Sequence, residues 1–316
     1  MYYIGIDVGG TNLVAGLVNE KGHILDKVSH PVDKSMTAEE LCHELARLAQ
    51  KVCEMGAVPY EEIEAVGVGL PGLVDNDTGM VIQTPNMAFS DTPFRKLFQE
   101  VWNVPVFLAN DANCAAVGEY WAGAAKGCDP AVVVTLGTGI GGGLVVGGKL
   151  FTGFANSGME VGHMIIQPNG VLCGCGNRGC WEQYGSATAL IRLTQLEMER
   201  TKDSVLWDLC EGDRFKVQGR TAFQGARLDD PAAKRVLHTY LQGLSIGIIN
   251  LINILQPEII CLGGGISNAE DDLLLEPLRD LVLQGTFDKS RPTRLEKASL
   301  GNDAGVVGAA LLCHMV

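Results

Sequence analysis

Alternating apolar and polar positions near the N-terminus predict three strands joined by two short turns. The segment YYIGIDVGGTNLVAGLVNEKGHIL, residues 2–25, reads as strand, glycine turn, strand, Lys-Gly turn and strand. The same plan returns in AVVVTLGTGIGGGLVVGGKLF, residues 131–151. Because two copies of this hairpin plan lie about 130 residues apart, we expect a duplicated architecture with one hairpin in each domain.

Helical and strand patterns alternate between the two hairpins. Residues 38–56 have apolar positions at helical spacing and stop at a glycine, and residues 112–123 read as a helix of small residues. IEAVGVGLPGLVD, residues 63–75, reads as a strand that runs into a Pro71-Gly72 turn, and NVPVFLAND, residues 103–111, reads as a strand that ends at Asn110 and Asp111. The alternation predicts an open α/β sheet that binds ligands beyond the carboxyl ends of its strands.

The C-terminal half is predicted to be mostly helical, with one buried strand. PEIICLGGGIS, residues 257–267, is that strand, and it ends in three glycines. The final segment is expected to be a helix capped by Asn302 or Asp303. No Pro- or Ser-rich linker is visible, so we expect a hinge between domains rather than a tether. The other predicted helices cover residues 186–200, 205–209 and 230–255.

Composition and charge exclude several classes of protein. The chain has 316 residues, of which 47% are hydrophobic and 19% charged, so it is long enough for two globular domains. Lys and Arg number 24 against 37 Asp and Glu, and the net charge of -13 predicts no general attraction to nucleic acid or to an anionic membrane. Local anion binding by backbone N–H groups stays open.

The sequence gives no sign of secretion or membrane insertion. The chain opens on a strand-like run rather than a basic and then apolar leader, so we expect no signal peptide. The longest apolar stretch, Leu244 to Leu255, contains Asn250 and Asn253 and is too short to span a bilayer. Seven of the ten cysteines follow no disulfide spacing, so we expect a cytoplasmic protein with reduced thiols.

Three glycine-rich turns are candidate nucleotide contacts. A turn without Cβ atoms lets backbone N–H groups approach a phosphate, and an acidic residue beside it can hold phosphate-bound Mg²⁺. An ordinary hairpin with an Asp-capped turn, or a plain strand-to-helix turn, is the alternative. Neither hairpin matches a P-loop or a dinucleotide fingerprint. The candidate residues are Asp7, Gly9, Gly10 and Thr11 in the first turn, Gly137, Thr138 and Gly139 in the second, and Gly264 and Gly265 in the third.

One histidine and three cysteines between residues 160 and 182 form a candidate zinc site. His163, Cys173, Cys175 and Cys180 offer one imidazole and three thiolates, which is a typical tetrahedral zinc ligand set. Glycines separate the cysteines, as a tight turn requires. The alternative is three reduced cysteines in a loop near a surface histidine.

Asp111 follows the end of a predicted strand and has two compatible interpretations. Aspartate is a common N-cap, and a helix is predicted to begin directly after this residue. Ligands of α/β sheets bind at such strand ends, so the carboxylate is also a candidate catalytic base.

Seven motifs occur in an order that resembles the bacterial ROK family (repressor, open reading frame, kinase), most closely its glucokinases. They span nearly the whole chain, and the glycine-flanked cysteines after E-x-G-H are the most specific of them. The motifs are DVGGT, LPGLVD, LANDANCAAVGE, TLGTGIGGG, GMEVGHM, CGCGNRGCWE and LGGGIS.

The resemblance implies a two-domain α/β fold of the actin-like, ribonuclease-H-like ATPase type, with an interdomain cleft and a zinc-binding loop. We expect a small domain of residues 1–118 plus 300–316 and a large domain of residues 119–299. The implied cofactors are ATP, Mg²⁺ and structural Zn²⁺, and a homodimer is expected.

The resemblance also assigns roles to individual residues. Asp111 of the L-A-N-D segment matches the family's catalytic base. The implied substrate contacts are Asn110 and Asp111, Gly72 of LPGLVD, Glu160 and His163 of E-x-G-H, and Glu182 of C-W-E. His163 would then hold zinc through one ring nitrogen and meet a sugar hydroxyl with the other.

The expected reaction is ATP-dependent phosphorylation of a hexose, glucose to glucose 6-phosphate, with aspartate activating the primary hydroxyl. Kinases for fructose, mannose, N-acetylmannosamine or N-acetylglucosamine remain alternatives, as does a non-catalytic sugar sensor. The donor stays open among ATP, other nucleotides and polyphosphate. Family repressors carry an N-terminal DNA-binding domain, and this chain starts at the first strand, so we disfavour a repressor. The charge also disfavours a zinc-finger nucleic-acid binder.

Overall fold

The computed structural model describes residues 1–85 and 87–316, which form two compact units. The first unit contains Met1–Val133, Gly143–Met159 and Ala298–Val316. The second unit contains Val134–Gly142 and Glu160–Lys297. The expected division into residues 1–118 plus 300–316 and residues 119–299 stays a prediction.

The strands and helices follow the predicted order, with several additions. The strands are β1 (Tyr2–Val8), β2 (Asn12–Asn19), β3 (Ile24–Pro31), β4 (Ile63–Leu70), β5 (Leu73–Asp75), β6 (Met80–Gln83), β7 (Ser90–Thr92), β8 (Val106–Asn110), β9 (Ala131–Leu136), β10 (Ile140–Val146), β11 (Lys149–Phe151), β12 (Ile259–Gly263) and β13 (Arg294–Lys297). The α-helices are α1 (Ala38–Met55), α2 (Phe94–Val101), α3 (Asp111–Ala122), α4 (Glu182–Gly185), α5 (Ala187–Arg200), α6 (Leu206–Leu209), α7 (Thr221–Arg227), α8 (Pro231–Leu255), α9 (Leu275–Gly285) and α10 (Ala304–Ala310).

The first sheet brings the carboxyl ends of three parallel strands to one edge. Its order is β3-β2-β1-β4-β8, with β1 antiparallel to β2 and parallel to β4, which in turn is parallel to β8. Asp7 of β1 is opposite Gly69 of β4, and Gly69 is opposite Ala109 of β8. Asp7 and Asp111 therefore lie at the same edge, about two strand spacings apart.

The second sheet repeats this arrangement. Its order, β11-β10-β9-β12-β13, again places a three-strand hairpin unit beside two later strands. The repeat predicted from the two glycine hairpins therefore extends to the strand order of both sheets.

Helix α10 packs directly on the first sheet because two strand glycines allow the backbones to meet. A Cβ atom on Gly5 would lie 1.9 Å from the carbonyl oxygen of Val306, and one on Gly67 would lie 1.7 Å from that of Ala309. No side chain fits at either glycine without moving the helix. Helix α10 thus packs closely against β1 and β4 and supports one face of the sheet.

A buried carboxylate ties α3 to the chain that leads into α10. The Glu119 side chain is 0% exposed. It accepts hydrogen bonds from the N–H groups of Ala124 at 2.8 Å, Ser299 at 3.0 Å and Leu300 at 2.8 Å. Because a buried carboxylate is costly without donors, this group of bonds fixes the far end of the helix that begins at Asp111.

Asp303 occupies the N-cap position of α10, as predicted, but its side chain makes no capping hydrogen bond. The chain enters the helix from a 3-10 turn, Gly301–Asp303. The Asp303 carboxylate instead pairs with Lys27 at 2.6 Å. The strands β6, β7 and β13 and the helices α2, α4, α7 and α9 were not predicted. Within the described residues, no helix is both long and apolar enough to cross a membrane.

Candidate active site

Asp111 is the first residue of α3, and Asn110 is its N-cap. The Asn110 side chain accepts the N–H of Ala112 at 2.8 Å, and the Asp111 carboxylate accepts the same N–H at 2.9 Å. The interpretation of Asp111 as the cap is therefore wrong by one residue. The Asp111 carboxyl is reached by solvent, although much protein surrounds it. This desolvation raises the pKa of Asp111, while the Ala112 N–H counteracts the shift.

Asn110 also connects α3 to the turn after β4. Its side-chain amide donates to the carbonyl oxygen of Gly72 at 3.0 Å. Gly72 has φ +101°, and a Cβ atom there would lie 2.1 Å from the carbonyl oxygen of Gln83. Both predicted substrate residues therefore belong to one rigid corner beside Asp111, and only part of the hydrogen-bonding capacity of Asn110 is left for a ligand.

The first glycine turn joins β1 to β2 next to Asp7. The N–H of Gly9 closes the turn by donating to the carbonyl oxygen of Asn12 at 2.9 Å. In the described part of the chain, the N–H groups of Gly10 and Thr11 have no acceptor. These two donors at a strand end suit an anionic ligand such as phosphate.

The Asp7 carboxyl is half-buried and packs against Gly305 of α10, where a Cβ atom would lie 3.0 Å from its carboxyl carbon. Burial, and secondarily the charge of Asp111, raise the pKa of Asp7 to about 6. Across residues 1–85 and 87–316, no group donates a hydrogen bond to this carboxylate. A divalent cation or its water ligands would supply the missing charge, so Asp7 fits the predicted Mg²⁺ role.

The pH dependence of the free energy of unfolding should reveal the raised pKa of Asp7. Between about pH 4 and 6 the folded state binds more protons than the unfolded state, so this group makes the free energy of unfolding fall as pH rises. A shift of about two pKa units corresponds to at most about 3 kcal/mol. The variant Asp7→Asn lacks this effect. We therefore expect its free energy of unfolding, relative to that of wild type, to be higher at pH 7 than at pH 4. Urea unfolding at both pH values, without Mg²⁺ or nucleotide, measures this, and a pH-independent difference would contradict it.

The second glycine turn, Gly137 to Gly139, is held from one side by the start of α5. Within the turn, the N–H of Gly137 donates to the carbonyl oxygen of Gly139 at 3.0 Å. The N–H of Ala187 donates to the carbonyl oxygen of Gly137 at 2.9 Å, and the Thr188 hydroxyl donates to that of Thr138 at 2.8 Å. The pattern of the sequence gave no signal for these helix contacts.

Glu182 lies against the same turn. Its Oε2 accepts the N–H of Ile140 at 3.2 Å, and a Cβ atom on Gly139 would be 2.1 Å from this oxygen. Its other oxygen, Oε1, is 3.9 Å from the sulfur of Cys173. One carboxylate thus lies between the predicted zinc ligands and the predicted phosphate turn, a proximity that the sequence did not indicate.

The predicted zinc ligands converge. One ring nitrogen of His163 and the three cysteine sulfurs all lie within 4.8 Å of one another. Cys173 sulfur is 3.7 Å from His163 Nδ1, and Cys175 sulfur is 3.6 Å from Cys180 sulfur. Ligands bound tetrahedrally to Zn²⁺ at about 2.0–2.3 Å lie roughly 3.3–3.8 Å apart, so these two pairs already have the separations of a closed zinc site.

The loop around this Cys₃His cluster owes its shape to backbone bonds and two glycines. Cys173 N–H donates to the carbonyl oxygen of Asn177 at 2.8 Å, and Gly176 N–H donates to that of Cys173 at 3.0 Å. Gly176 and Gly179 have φ values of +91° and +85°, which side chains with a Cβ rarely adopt. The turn that aims the sulfurs at one centre therefore depends on these glycines.

Trp181 anchors the Cys₃His cluster to α8. Its ring is fully buried, its Nε1 donates to the carbonyl oxygen of Gly243 at 3.1 Å, and a Cβ atom on Gly247 would lie 2.0 Å from the ring. Tyr184 adds a second tie, because its hydroxyl accepts the N–H of Val171 at 3.0 Å. Neither Trp181 nor Tyr184 was predicted from the sequence to support the site.

Glu160 directly precedes the 3-10 turn Val161–His163, and His163 is the last residue of that turn. The carbonyl oxygen of Glu160 accepts the His163 N–H at 3.0 Å, and the Glu160 side chain is exposed. Gly162 packs on Ile140, where a Cβ atom would lie 2.2 Å from the carbonyl oxygen. Because His163 presents Nδ1 to the sulfurs, Nε2 is the nitrogen left for another partner.

The third glycine run borders a cavity in the second unit. Gly264 has φ +85°, and a Cβ atom there would lie 2.5 Å from the carbonyl oxygen of Leu136. Gly265 and Ile266 line a cavity of about 360 Å³, together with Phe223 and Arg227. The cavity has the mixed apolar and polar lining that small ligands use.

The predicted site residues divide between the two units. The first unit holds Asp7, Gly9, Gly10, Thr11, Gly72, Asn110 and Asp111. The second unit holds Gly137, Thr138, Gly139, Glu160, His163, Cys173, Cys175, Cys180, Glu182, Gly264 and Gly265.

Comparison with known proteins decides the family. A sequence profile of the ROK family matches residues 3–316. The chain belongs to the ROK family. Among ROK relatives, a glucokinase of Streptomyces coelicolor is 36% identical over 315 residues, covering 98% of this chain and 97% of that one. The family predicted from the seven motifs is thus confirmed.

A solved ROK structure confirms the expected fold. The glucokinase from Streptomyces griseus, in complex with glucose and AMPPNP, is 34% identical, with a TM-score of 0.83 and 99% of each chain covered. The actin-like, ribonuclease-H-like α/β fold expected for this ROK protein is therefore confirmed. The family also includes regulators: the xylose repressor of Bacillus subtilis is 31% identical over 97% of this chain and 75% of that one.

Proposed function

We propose that this ROK protein is an ATP-dependent hexose kinase that converts glucose to glucose 6-phosphate. The observation that carries the proposal is the Asp111 carboxylate, which solvent reaches at the end of β8 and the start of α3. It lies in the same unit as the Asp7 turn, where the N–H groups of Gly10 and Thr11 have no acceptor among the described residues and are available to an anion. The similarity to glucokinases, including one bound to glucose and AMPPNP, supports this reaction.

Asp111 is proposed as the general base. Its carboxylate would accept the proton of the primary hydroxyl as the hydroxyl oxygen attacks the γ-phosphorus of ATP, and ADP leaves. A raised pKa makes the carboxylate a stronger proton acceptor, provided that it is ionised at the working pH. Since phosphoryl transfer needs little covalent chemistry from the protein, most of the rate comes from positioning.

The donor phosphates are proposed to bind the two glycine turns, residues 9–11 and 137–139, through their backbone N–H groups. Gly264 and Gly265 would pass close to the nucleoside, and the cavity of about 360 Å³ beside Gly265 has room for a base. Asp7 would hold Mg²⁺ directly or through water. When bound, the magnesium ion neutralises charge on the transferred phosphoryl group.

The sugar is proposed to contact Asn110, Gly72, Glu160, His163 and Glu182. Carboxylates and amides suit hydroxyl groups because they accept or donate in fixed directions. The Nε2 atom of His163 would meet a hydroxyl while Nδ1 binds zinc, and the zinc would hold the Glu160-to-Glu182 loop in place.

A panel of sugars tests the proposed substrate. We expect kcat/KM with ATP to be highest for glucose and at least about tenfold lower for N-acetylmannosamine and N-acetylglucosamine, whose substituents must displace polar groups of a site built for hydroxyls. A coupled assay of ADP release with glucose, fructose, mannose and the two amino sugars measures this. A higher kcat/KM for an N-acetylhexosamine than for glucose would contradict this expectation and identify that sugar as the preferred substrate.

The alternative function is a sugar-responsive regulator without catalysis, which the similarity to a xylose repressor favours. Such a protein would bind sugar but release no ADP in the same assay. The intact Asp111 and both glycine turns favour the kinase. The expected homodimer stays a prediction.

A further inference from the structure

The start of α5 orients two successive peptide groups of the second glycine turn. The N–H of Ala187 donates to the carbonyl oxygen of Gly137 at 2.9 Å, and the Thr188 hydroxyl donates to the carbonyl oxygen of Thr138 at 2.8 Å. In a trans peptide the C=O and the following N–H point in opposite directions. The N–H groups of Thr138 and Gly139 are therefore turned away from α5.

We propose that Thr188 is a positioning residue for the phosphoryl donor. Its hydroxyl fixes the peptide plane between Thr138 and Gly139, so that the N–H of Gly139 is aimed at a phosphate oxygen. This inference rests on the proposed kinase function and deepens it, because it assigns to α5 the geometry of one donor contact. Nothing in the sequence pattern singles out Thr188.

The bond that Thr188 makes contributes little to folding. Thr188 and Thr138 are both exposed, so when valine removes the hydroxyl, water can bond the Thr138 carbonyl oxygen instead at small cost. The turn itself is kept by other contacts, which are the Ala187 bond and the Glu182 bond to Ile140. Loss of the hydroxyl therefore frees one peptide plane without unfolding the turn.

Thr194 provides a matched control on the same helix. Its hydroxyl also donates to a backbone carbonyl, that of Leu190, at 2.8 Å. Its side chain is 0% exposed, and it lies two turns further along α5 from the glycine turn. Substitution of either threonine by valine removes the same kind of bond with little change of shape.

The experiment compares Thr188→Val, Thr188→Ser and Thr194→Val by glucokinase kinetics and by calorimetric titration with MgADP. We expect Thr188→Val to raise KM for ATP and Kd for MgADP by about threefold to tenfold, which is the range for one hydrogen bond. KM for glucose should change less than twofold. Thr188→Ser should restore both donor constants, and Thr194→Val should lower Tm while leaving both donor constants unchanged.

The outcomes separate this inference from the proposed function. Unchanged donor constants in an active Thr188→Val variant would overturn the positioning role, as would equal increases of KM for ATP and for glucose. A wild-type protein that binds MgADP but phosphorylates no sugar would overturn the kinase function, while the MgADP titrations would still decide the role of Thr188.

Discussion

Asp111→Asn is expected to lower kcat by about a thousandfold while the protein stays folded and binds glucose. General bases contribute roughly 10²- to 10⁴-fold, and an amide cannot take the hydroxyl proton. The helix start should survive because Asn110 is the N-cap, and the new side-chain oxygen can still accept the Ala112 N–H. Steady-state kinetics and a glucose titration on the same preparation measure both effects.

The control for this variant is Asp280→Asn, which changes an exposed carboxylate on α9. It should have wild-type kcat and KM. The wild-type rate should also rise with pH through the raised pKa of Asp111, because only the carboxylate form is a base. Near-normal turnover in Asp111→Asn would mean that Asp111 is not the base.

Loss of one zinc ligand is expected to weaken sugar binding more than donor binding. Cys175→Ser leaves one thiolate fewer in the Cys₃His cluster, so we expect the zinc content to fall from one ion per chain to well below one. The KM for glucose should rise by about 10- to 100-fold, the usual range for residues that support a site through a metal. The physical reason is the loop geometry, because His163, Glu160 and Glu182 all belong to the segment that the metal would hold.

Cys313→Ser is the matched control, since this half-buried thiol lies in the C-terminal turn and is not one of the cluster residues. Elemental analysis by mass spectrometry gives the zinc content, and glucose and ATP titrations give both KM values. Protein purified without chelator that carries no stoichiometric zinc would contradict the account of the cluster. A Cys175→Ser variant that loses zinc but keeps its KM for glucose would contradict the link to the sugar.

Features with local causes could be predicted from the sequence. Both glycine hairpins, α1 with its stop at Gly56 and α8 behind Asp230 follow from alternation, helical spacing and capping residues within a short stretch. The Cys₃His cluster was also predictable, because its ligands are close in sequence and their turn needs glycines. For these parts, local chemistry determines local structure.

Features that depend on distant partners could not be predicted. Glu182 meets Ile140, and Thr188 meets Thr138, only because α5 folds back on the hairpin. The Asp303 carboxylate pairs with Lys27, which is far away in the sequence, and makes no capping bond to α10. Such choices depend on tertiary packing, which overrides local capping preference.

The most direct test of the central claim is the product formed by the wild-type protein from ATP, Mg²⁺ and glucose. Phosphorus NMR of the reaction mixture distinguishes a sugar phosphate from inorganic phosphate and ADP. We expect glucose 6-phosphate and ADP in equal amounts, with neither formed when glucose is omitted. ATP that stays intact with folded, zinc-loaded protein, or that yields only inorganic phosphate, would contradict it.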